Sequence, residues 1–344
     1  MKKIAINGFG RIGRTFFRLA INHPDIEIVA INDLGNLENL AYLLRYDSVY
    51  GRAPFSVVVK DNNLVVDGKN IAFLQEREPK NLPWSKLGVD VVIESTGFFA
   101  SYELAKQHLE AGAKRIVISA PVKDDPAKAG VEGATVLMGV NEESLNTCLI
   151  SSNASCTTNA TSPLIAILKE SVGINKAVLN TVHAYTASQS LVDGPSKKDF
   201  RSGRAAGLNI IPSTTGAAIA TTLAHTDLMG KFDGIAIRVP VPVGSIVDLT
   251  FVASRETTVE EVNEILRQGA LSDHWKNLFA TTDEPLVSSD IIGARYAAIA
   301  DLSFTKVVAG DLVKVLAWYD NETSYTHTLV EHVQAIAKFF NANN

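Results

Sequence analysis

A glycine-rich turn near the start of the chain limits the possible folds more than any other feature of the sequence. The residues GFGRIG, from Gly8 to Gly13, follow the apolar run KKIAIN and precede the helical pattern RTFFRLAINHP. A second apolar run, IEIVAIND, ends at Asp33, about 20 residues beyond the turn. This order predicts a dinucleotide-binding βαβ unit. We expect Gly8 to make the tight turn, Gly10 to admit a pyrophosphate, and Gly13 to let the helix pack closely on the strand.

The acidic residue Asp33 indicates which dinucleotide this unit would bind. Its carboxylate is expected to accept hydrogen bonds from both ribose hydroxyls of the adenosine half. It would also repel a 2′-phosphate, which favours NAD over NADP. The alternative, a simple glycine turn followed by a surface aspartate, does not account for the strand and helix on either side.

The first half of the chain alternates strand and helix patterns, which predicts an α/β fold with a doubly wound, mostly parallel sheet. Three further buried strands are predicted in VDVVIESTG, KRIVISAP and TCLISSNA, and paired strands in FSVVVKDNNLVVDGKNIAFL. A helix is predicted in YELAKQHLEAGA, after the first of these strands. Ligands of such sheets bind at the carboxyl ends of the strands, where Glu94–Gly97 and Ser119 are expected.

Length and composition exclude several classes of protein. The chain has 344 residues, which favours about two domains, and a net charge of −5, which argues against nucleic-acid or acidic-membrane partners. It has two cysteines, too few for a disulfide framework, and no apolar run as long as a membrane span. The N-terminus does not have the pattern of a secretory signal, so a soluble cytoplasmic protein is expected.

One of the two cysteines stands where its thiol is expected to be reactive. Cys156, in SNASCTTN, follows the strand TCLISSNA and falls in the first turn of the next predicted helix. A helix N-terminus favours a thiolate, so we expect a lowered pKa, and its free amides can bind an oxyanion. Cys148, inside the predicted strand, is expected to be an inert apolar residue.

A nucleophilic cysteine needs a base, and His183 is the candidate. It lies near the carboxyl end of the strand-like KAVLNTVHAYT. The other six histidines are expected in helices or turns without comparable neighbours: His23, His108, His225, His274, His327 and His332. No spacing of histidines, cysteines and carboxylates predicts a metal site.

A thiol, a base and NAD together define a reaction. An aldehyde has no hydroxyl-bearing carbon from which NAD could take hydride, and addition of sulfur creates one as a thiohemiacetal. Loss of hydride then gives a thioester, which a second nucleophile must attack.

Several motifs occur in order along nearly the whole chain: INGFGRIGR, NDL, SNASCTTN, HAYT, DGPS, IIPSTTGAA, IRVPVPVGSIVDL and WYDNE. In these motifs the sequence closely resembles the phosphorylating glyceraldehyde-3-phosphate dehydrogenases. The resemblance implies oxidation of D-glyceraldehyde 3-phosphate, with inorganic phosphate, to 1,3-bisphosphoglycerate in glycolysis or gluconeogenesis. It also implies a domain of residues 1–155 that binds NAD, an α+β catalytic domain of residues 156–319 with a mixed or antiparallel sheet, and a C-terminal helix, residues 320–344, that returns to the first domain.

The resemblance also assigns roles to individual residues. Cys156 is implied as the nucleophile and His183 as the base. The implied NAD contacts, beyond the three glycines and Asp33, are Arg11, Ile12, Arg77, Ser119 and Asn321. The implied ligands of substrate and phosphate are Ser155, Thr157, Thr186, Arg201, Thr215, Gly216 and Arg238. Of these, Thr186 and Arg238 would hold the phosphate of the substrate, and Thr215 and Gly216 the attacking phosphate.

Members of this family are usually homotetramers. The long polar stretch ASQSLVDGPSKKDFRSGRAAGLN is expected to be a loop without regular structure that packs near a neighbouring subunit's cofactor site. Its Lys197 and Lys198 are expected to be solvated.

The sequence departs from the family pattern at four positions. Ala160 stands where a second cysteine is common, which is expected to reduce oxidative cross-linking with Cys156. Ile219 replaces a usual lysine, which is expected to make an anion site less positive. Thr323 and Ser324 replace a bulky residue and glycine, and this change is expected to alter packing near the nicotinamide.

Three alternatives compete with this interpretation. Erythrose-4-phosphate dehydrogenase shares the fold and the thiol mechanism but usually departs from the HAYT, DGPS and STTG motifs. Aspartate-semialdehyde dehydrogenases prefer NADP and have a different order of motifs. A non-catalytic NAD-binding scaffold would have no need for intact Cys156, His183 and Arg238.

Overall fold

In the computed structural model, which describes residues 1–196 and 199–342, the chain forms two compact units. Unit 1 comprises residues 1–136 and 141–154, and continues from Thr326 to the end of the described chain. Unit 2 comprises residues 137–140 and 155–325. Lys197, Lys198 and the last two residues of the predicted C-terminal helix lie outside the described residues.

Unit 1 is built on a twisted sheet with helices between its parallel strands. Its strands are β1 (Lys2–Asn7), β2 (Ile26–Asn32), β3 (Tyr46–Asp47), β4 (Gly51–Arg52), β5 (Val57–Lys60), β6 (Asn63–Val66), β7 (Lys69–Leu74), β8 (Val91–Glu94), β9 (Arg115–Ile118), β10 (Gly133–Thr135) and β11 (Ile150–Ser152). Its helices up to residue 154 are α1 (Arg11–Ala20), α2 (Leu37–Arg45), α3 (Trp84–Leu87), α4 (Tyr102–Ala105) and α5 (Gln107–Glu110), with short 3₁₀ turns at Pro79–Asn81 and Glu142–Asn146.

The strand order of this sheet creates a crevice at the centre of the unit. Within the described chain the order is β10-β11-β9-β8-β1-β2-β7-β6-β5, and all neighbours from β10 to β7 pair in parallel. The antiparallel pairs β5–β6 and β6–β7 complete the edge. The order changes direction between β1 and β8, and ligands of such sheets bind at this point. The predicted doubly wound, mostly parallel sheet is confirmed.

The first and third glycines of the GFGRIG turn are required by the backbone. Gly8 has φ +95°, and a Cβ there would lie 2.6 Å from the Thr96 amide nitrogen. A Cβ on Gly13 would lie 2.1 Å from the Gly8 carbonyl oxygen, so α1 could not approach β1. A Cβ on Gly10 would meet open space, as expected of a position beside a ligand.

Two predicted elements of unit 1 differ from the structure. The stretch YELAKQHLEAGA forms the two short helices α4 and α5, not one helix. Cys148 is buried as expected, but it lies two residues before β11, where its carbonyl accepts a hydrogen bond from Arg115. Burial raises the pKa of Cys148 to about 11. The apolar run TCLISSNA could not show where pairing with β9 begins, because that depends on a strand distant in sequence.

Unit 2 contains a mixed sheet with helices against it. Its strands are β12 (Lys176–Ala184), β13 (Ile211–Thr214), β14 (Phe232–Val239), β15 (Ser245–Val252), β16 (Phe279–Thr282), β17 (Ala298–Val308) and β18 (Leu312–Tyr319). Its helices are α6 (Cys156–Ser171), α7 (Ala217–Ala224) and α8 (Val259–Leu271), with 3₁₀ turns at Phe200–Gly203, Thr226–Leu228 and Ser288–Ile291. The sheet order over the described residues is β13-β14-β12-β15-β18-β17-β16, in which β12–β14 and β16–β17 are parallel and the other pairs are antiparallel.

The alternation of side chains along β12 determines which of its residues face the interior. Ala177, Leu179, Thr181 and His183 are buried, whereas Val178, between the first two, is 60% exposed. Helix α6 packs across β15, β17 and β18 of the same sheet. The period-2 pattern of a strand therefore directs His183 into the interior of unit 2.

The last helix, α9 (Thr323–Ala342), belongs to unit 1 from Thr326 onward. Its His332 is fully buried, with Nδ1 3.0 Å from the Asn153 side-chain oxygen and Nε2 2.8 Å from the Ser151 hydroxyl. Asn153 also donates to the Thr328 hydroxyl, at 3.1 Å. These hydrogen bonds attach α9 to the end of β11, and burial lowers the pKa of His332 to about 3.

The depressed pKa of His332 predicts a pH-dependent stability. Its ordinary value is 6.5, so below that pH the unfolded chain binds a proton that the folded chain excludes until about pH 3. Stability contributed by the neutral ring is present above pH 6.5 and is lost as the pH falls. Between pH 7 and pH 5 this one residue should reduce the free energy of unfolding by about 2 kcal/mol. The variant His332→Gln, which cannot titrate, should lose about that much less over the same interval in urea denaturation. An equal loss of unfolding free energy in the variant and the wild type would contradict the assignment of this pH dependence to His332.

Candidate active site

The crevice of unit 1 has the size and lining of a nucleotide site. Its volume is about 480 Å³. It lies at the carboxyl ends of β1, β2 and β8, and its lining residues are Asn7, Gly8, Gly10, Asn32, Asp33, Leu34, Glu76, Arg77, Glu78, Ser95, Thr96, Phe98 and Phe99. Four of the predicted cofactor residues are therefore together in one crevice: Gly8, Gly10, Asp33 and Arg77.

Asp33 is held in place by the backbone around it. Its carboxylate accepts hydrogen bonds from the Phe9 amide at 2.6 Å and from the Gly35 amide at 2.8 Å. These two bonds orient the carboxylate at the end of β2, on the wall of the crevice. A carboxylate fixed by two amides can still accept further hydrogen bonds, as hydroxyl recognition requires.

The other predicted cofactor residues do not line this crevice. Arg11, at the start of α1, is ion-paired with Asp47 and lies over the Tyr50 ring, 5.6 Å from its centre. Ile12 is half-buried on α1, and Ser119 follows β9, where its amide donates to the Glu94 carbonyl. Asn321 belongs to unit 2, and its side-chain oxygen accepts from the Gly244 amide and the Ser245 hydroxyl.

The sequence analysis missed several crevice residues. Leu34 and Phe98 are 53% and 82% exposed at the crevice, an unusual exposure for apolar side chains. Their flat or branched surfaces suit contact with an aromatic ring. Apolar residues directly after Asp33 and after the ESTG turn were the signal available in the sequence.

In unit 2, helix α6 begins at Cys156, so the thiol stands in the first turn as predicted. Ser155 caps the helix, because its hydroxyl oxygen accepts a hydrogen bond from the Thr158 amide at 3.1 Å. The amides of Cys156 and Thr157 are directed to the sulfur. Ser155 thus stabilises the start of α6, in addition to the ligand role predicted for it.

The thiol and the imidazole are adjacent. Cys156 Sγ lies 3.3 Å from His183 Nε2, within reach for proton transfer. The Tyr319 ring stands edge-on to His183. The Tyr319 hydroxyl lies 2.9 Å from the Thr157 hydroxyl and 2.8 Å from the Thr181 hydroxyl, both within hydrogen-bond distance. Sequence reasoning missed Tyr319, although it lies in the WYDNE motif. The Thr157 side chain, predicted as a substrate ligand, is buried against it.

Burial works against the lowered pKa expected of Cys156. Burial raises the pKa of the thiol, while the positive charge of Arg238 and the hydrogen bonds from Thr157 act in the opposite direction. For His183, burial and then Arg238 lower the pKa to about 3. The sequence-based expectation considered the helix N-terminus and could not include the depth of the site. Burial thus favours the uncharged forms of both side chains.

Arg238 reaches the far side of the imidazole. The parallel register of β12 and β14 pairs His183 with Arg238. The guanidinium lies 2.6 Å from His183 Nδ1 and donates to the Ala184 carbonyl at 3.0 Å, while Nδ1 itself lies 2.6 Å from that carbonyl. One Nδ1 atom cannot accept from Arg238 and donate to Ala184 at the same time. The position of Arg238 therefore determines the tautomer of His183.

The remaining predicted phosphate ligands lie on nearby elements. Thr186 follows β12, with its hydroxyl 2.9 Å from that of Ser188. Thr215 and Gly216 connect β13 to α7, and the Thr215 hydroxyl accepts from the Ala217 amide. Arg201 is exposed in the 3₁₀ turn Phe200–Gly203.

The sheet register separates two of these groups. Residue 211 pairs with Arg238, whereas residue 214 pairs with residue 235, three positions nearer the start of β14. The start of the Thr215–Gly216 turn is thus roughly 10 Å along the strand from Arg238. The structure brings Cys156, His183 and Arg238 together and keeps this second turn apart from them.

Across the described residues, no group of three histidine, cysteine or carboxylate side chains is arranged to hold a metal ion. No helix within residues 1–196 and 199–342 combines the length and apolar character needed to cross a bilayer.

Two models of known protein domains match this chain. Residues 2–102 match the family model "Glyceraldehyde 3-phosphate dehydrogenase, NAD binding domain", and residues 155–321 match the corresponding "C-terminal domain". The class is an NAD-dependent dehydrogenase, and the prediction of NAD as cofactor is confirmed. The chain is 48% identical over 337 residues to glyceraldehyde-3-phosphate dehydrogenase of Geobacillus stearothermophilus, covering 97% of this chain and 98% of that protein.

Two other relatives give the same result. The chain is 46% identical to glyceraldehyde-3-phosphate dehydrogenase 1 of Bacillus subtilis, over 98% of both chains. It is 45% identical to glyceraldehyde-3-phosphate dehydrogenase 1 of Kluyveromyces lactis, over 98% of this chain and all of that one. The chain belongs to the glyceraldehyde-3-phosphate dehydrogenase family.

The different environments of the two cysteines predict selective alkylation. At pH 7.5, substoichiometric iodoacetamide should modify Cys156 before Cys148, because Cys148 is buried without a base and its pKa is about 11. Peptide mass spectrometry at successive times measures both rates. Cys156→Ser should remove the fast phase and Cys148→Ser should keep it. Faster labelling of Cys148 would refute the assignment of the nucleophile.

Proposed function

We propose that this chain catalyses the NAD-dependent oxidative phosphorylation of D-glyceraldehyde 3-phosphate to 1,3-bisphosphoglycerate. The observation that supports it most directly is the 3.3 Å contact between Cys156 Sγ and His183 Nε2, in a chain of this family. We assign NAD binding to residues 1–155, chemistry to residues 156–319, and the return to the first domain to residues 320–344.

Cys156 and His183 carry the covalent steps of this proposal. His183 takes the thiol proton at Nε2, and the sulfur adds to the aldehyde carbon to form a thiohemiacetal. The amides at the start of α6 stabilise the oxyanion on that carbon. His183 returns its proton to that oxygen, which gives the thiohemiacetal hydroxyl, and takes the proton up again as the carbon loses hydride and becomes a thioester. Inorganic phosphate attacks the thioester carbonyl, and the thiolate leaves.

The crevice of unit 1 fits NAD. The open space at Gly10, the close packing at Gly8 and Gly13, and the carboxylate of Asp33 suit a pyrophosphate and a ribose diol. When bound, NAD supplies the hydride acceptor for the thiohemiacetal carbon. Arg77 lies on the same crevice, and we assign Arg11, Ile12, Ser119 and Asn321 as further contacts.

Arg238 has a double role in this proposal. Its guanidinium provides donors for the phosphate of the substrate, together with Thr186. In the free chain its charge helps to lower the pKa of His183. A bound phosphate dianion would compensate that charge and draw the guanidinium from Nδ1. Nδ1 could then donate to the Ala184 carbonyl, which leaves the Nε2 lone pair for the thiol proton. Substrate binding would in this way activate the base.

We assign the remaining phosphate ligands by the same reasoning. Thr215 and Gly216, near the start of α7, are assigned to the attacking phosphate, with Arg201 assisting and Ser155 and Thr157 beside the thiol. Ile219 is 63% exposed on α7, so the usual lysine is replaced here by an uncharged surface residue.

We also propose that the chain assembles into a homotetramer in the cytoplasm. Leu191, Phe200 and Leu208, on the loop after β12, are each more than 80% exposed, which is typical of residues that another chain covers. Both cysteines are free thiols, as suits a reducing compartment. Sedimentation equilibrium would contradict the assembly if it returned the mass of one chain.

The function is tested by an assay for NAD reduction with glyceraldehyde 3-phosphate and inorganic phosphate. Absorbance at the NADH band should rise continuously only when NAD, the aldehyde and phosphate are all present, and NADP should be a poor substitute because of Asp33. Erythrose 4-phosphate is the control aldehyde. A higher kcat/KM with erythrose 4-phosphate would favour the alternative dehydrogenase, and NAD binding without turnover would favour the scaffold.

Removal of the Arg238 charge should weaken catalysis without unfolding the chain. Arg238→Ala should lower kcat/KM for glyceraldehyde 3-phosphate by roughly 10- to 150-fold or more. This corresponds to a loss of at least about 1.5–3 kcal/mol of transition-state stabilisation. The matched control is Arg255→Ala. Arg255 is exposed, paired with Glu261, and donates to the Ser171 carbonyl at the other end of α6. Unchanged kcat/KM in Arg238→Ala would remove this residue from the site.

A further inference from the structure

A buried carboxylate, Glu94, lies behind the crevice of unit 1 and has no assigned role. It is the last residue of β8 and is 2% exposed. Oε2 lies 2.5 Å from Asn7 Nδ2 and 3.1 Å from His108 Nε2, and Oε1 accepts from the amide of Thr96 at 2.8 Å and from its hydroxyl at 2.5 Å. Four donors thus surround this one carboxyl group, and both of its oxygens act as acceptors.

His108 lies in a helix, as predicted, and it has polar neighbours that the sequence did not indicate. It is fully buried on α5, and the Trp84 indole donates to its Nδ1 at 2.9 Å. An indole N–H is a donor only, so Nδ1 must be the acceptor and the ring proton must be on Nε2. Nε2–H then donates to Glu94. His108 is therefore a neutral ring with one defined tautomer, and its 3.4 Å contact with Asn7 is not a hydrogen bond.

The orientation of the amides on the other side of Glu94 is also determined. Asn32 bonds twice to the backbone of Glu76: its oxygen accepts from the amide and its nitrogen donates to the carbonyl, both at 2.9 Å. The same Asn32 nitrogen donates to Asn7 Oδ1 at 2.7 Å. The Asn7 nitrogen therefore faces Glu94. Each hydrogen bond in the network from Trp84 to Glu76 therefore has a defined donor and acceptor. The bonds converge on the carboxyl group of Glu94.

This network ends on the crevice. Asn7, Asn32, Glu76 and Thr96 are all lining residues, and they come from the carboxyl ends of β1, β2, β7 and β8. Thr96 extends the network, because its hydroxyl oxygen accepts from the Phe98 amide at 3.0 Å. The segments that form the crevice walls are thus fixed to one buried group and not only to their sheet neighbours.

We propose that Glu94 is a positioning residue for cofactor binding, which sets the shape of the dinucleotide crevice through Asn7 and Thr96 and is itself oriented by His108 and Trp84. This inference rests on the proposed use of the crevice for NAD. The variant Glu94→Gln replaces a carboxylate, which only accepts hydrogen bonds, by an amide. The N–H group of that amide would face a donor of Asn7, His108 or Thr96. One wall of the crevice must then move.

The test is calorimetric titration of the purified full chain with NAD, without aldehyde. Glu94→Gln should raise the Kd for NAD about 10-fold or more, as expected when a hydrogen-bonded charge is lost. KM for NAD should rise with it. The rate of Cys156 alkylation in the absence of NAD should stay at the wild-type value, because the thiol belongs to unit 2. Wild-type affinity in Glu94→Gln overturns the inference, whereas failure of the wild type to bind NAD overturns the proposed function.

The matched control is Asp90→Asn, the same change of charge at the amino end of the same strand. Asp90 accepts from the Lys3 amide and from Lys114 and does not line the crevice. Its NAD affinity should equal that of the wild type. An equal loss in both variants would mean that any damage to the sheet weakens binding, and would overturn the specific role of Glu94.

If Glu94→Gln does not fold, Trp84→Phe provides the measurement. It removes the donor that holds His108 in one tautomer and leaves the carboxylate intact. In the wild type, the ¹⁵N shifts of His108 should show the proton on Nε2. In Trp84→Phe the tautomers should mix, and the Kd for NAD should rise by a factor of about 2 to 5, as for one neutral hydrogen bond. An unchanged Kd overturns the inference.

Discussion

The pairing of β12 with β14 is the constraint on which the chemistry of this protein depends. Their parallel register places His183 opposite Arg238, and the period of the strand turns His183 inward. Helix α6 packs on the same sheet and begins at Cys156, so the sulfur lies 3.3 Å from the imidazole. A slip of one residue in β12 would turn His183 to the opposite face. The sheet therefore positions three charged or reactive groups that are far apart in sequence.

Buried titratable side chains have different surroundings in the two units. In unit 2 burial raises the pKa of the Cys156 thiol and lowers the pKa of His183, and Arg238 adds to the effect on His183. A ligand that compensates Arg238 can change this balance. In unit 1 the buried Glu94 is surrounded by donors, and its two acceptor oxygens define the direction of the hydrogen bonds behind the crevice. The buried groups of unit 2 thus lie beside a positive charge, whereas the buried carboxyl group of unit 1 lies among hydrogen-bond donors.

Local patterns in the sequence were sufficient for the order of elements in unit 1 and for several site residues. Gly8, Gly13 and Asp33 follow from the backbone demands of a tight turn between a strand and a helix, which are local. The position of Cys156 in the first turn of α6 is local as well. The break between α4 and α5 was missed because the pattern over YELAKQHLEAGA is equally consistent with a continuous helix.

The sequence by itself determined the βαβ fingerprint, the place of Cys156 in the first turn of a helix, and the family, because each depends on short segments or on motifs in order. The tertiary structure alone decided the partners of Glu94 and His108, the contact of Arg238 with His183, and the direction of the pKa shift at Cys156. These depend on strand register and on depth below the surface, which bring together residues as far as 87 positions apart in the crevice network and 55 apart at the imidazole. Burial and distant partners arise only when the sheet has formed, and no local pattern encodes them.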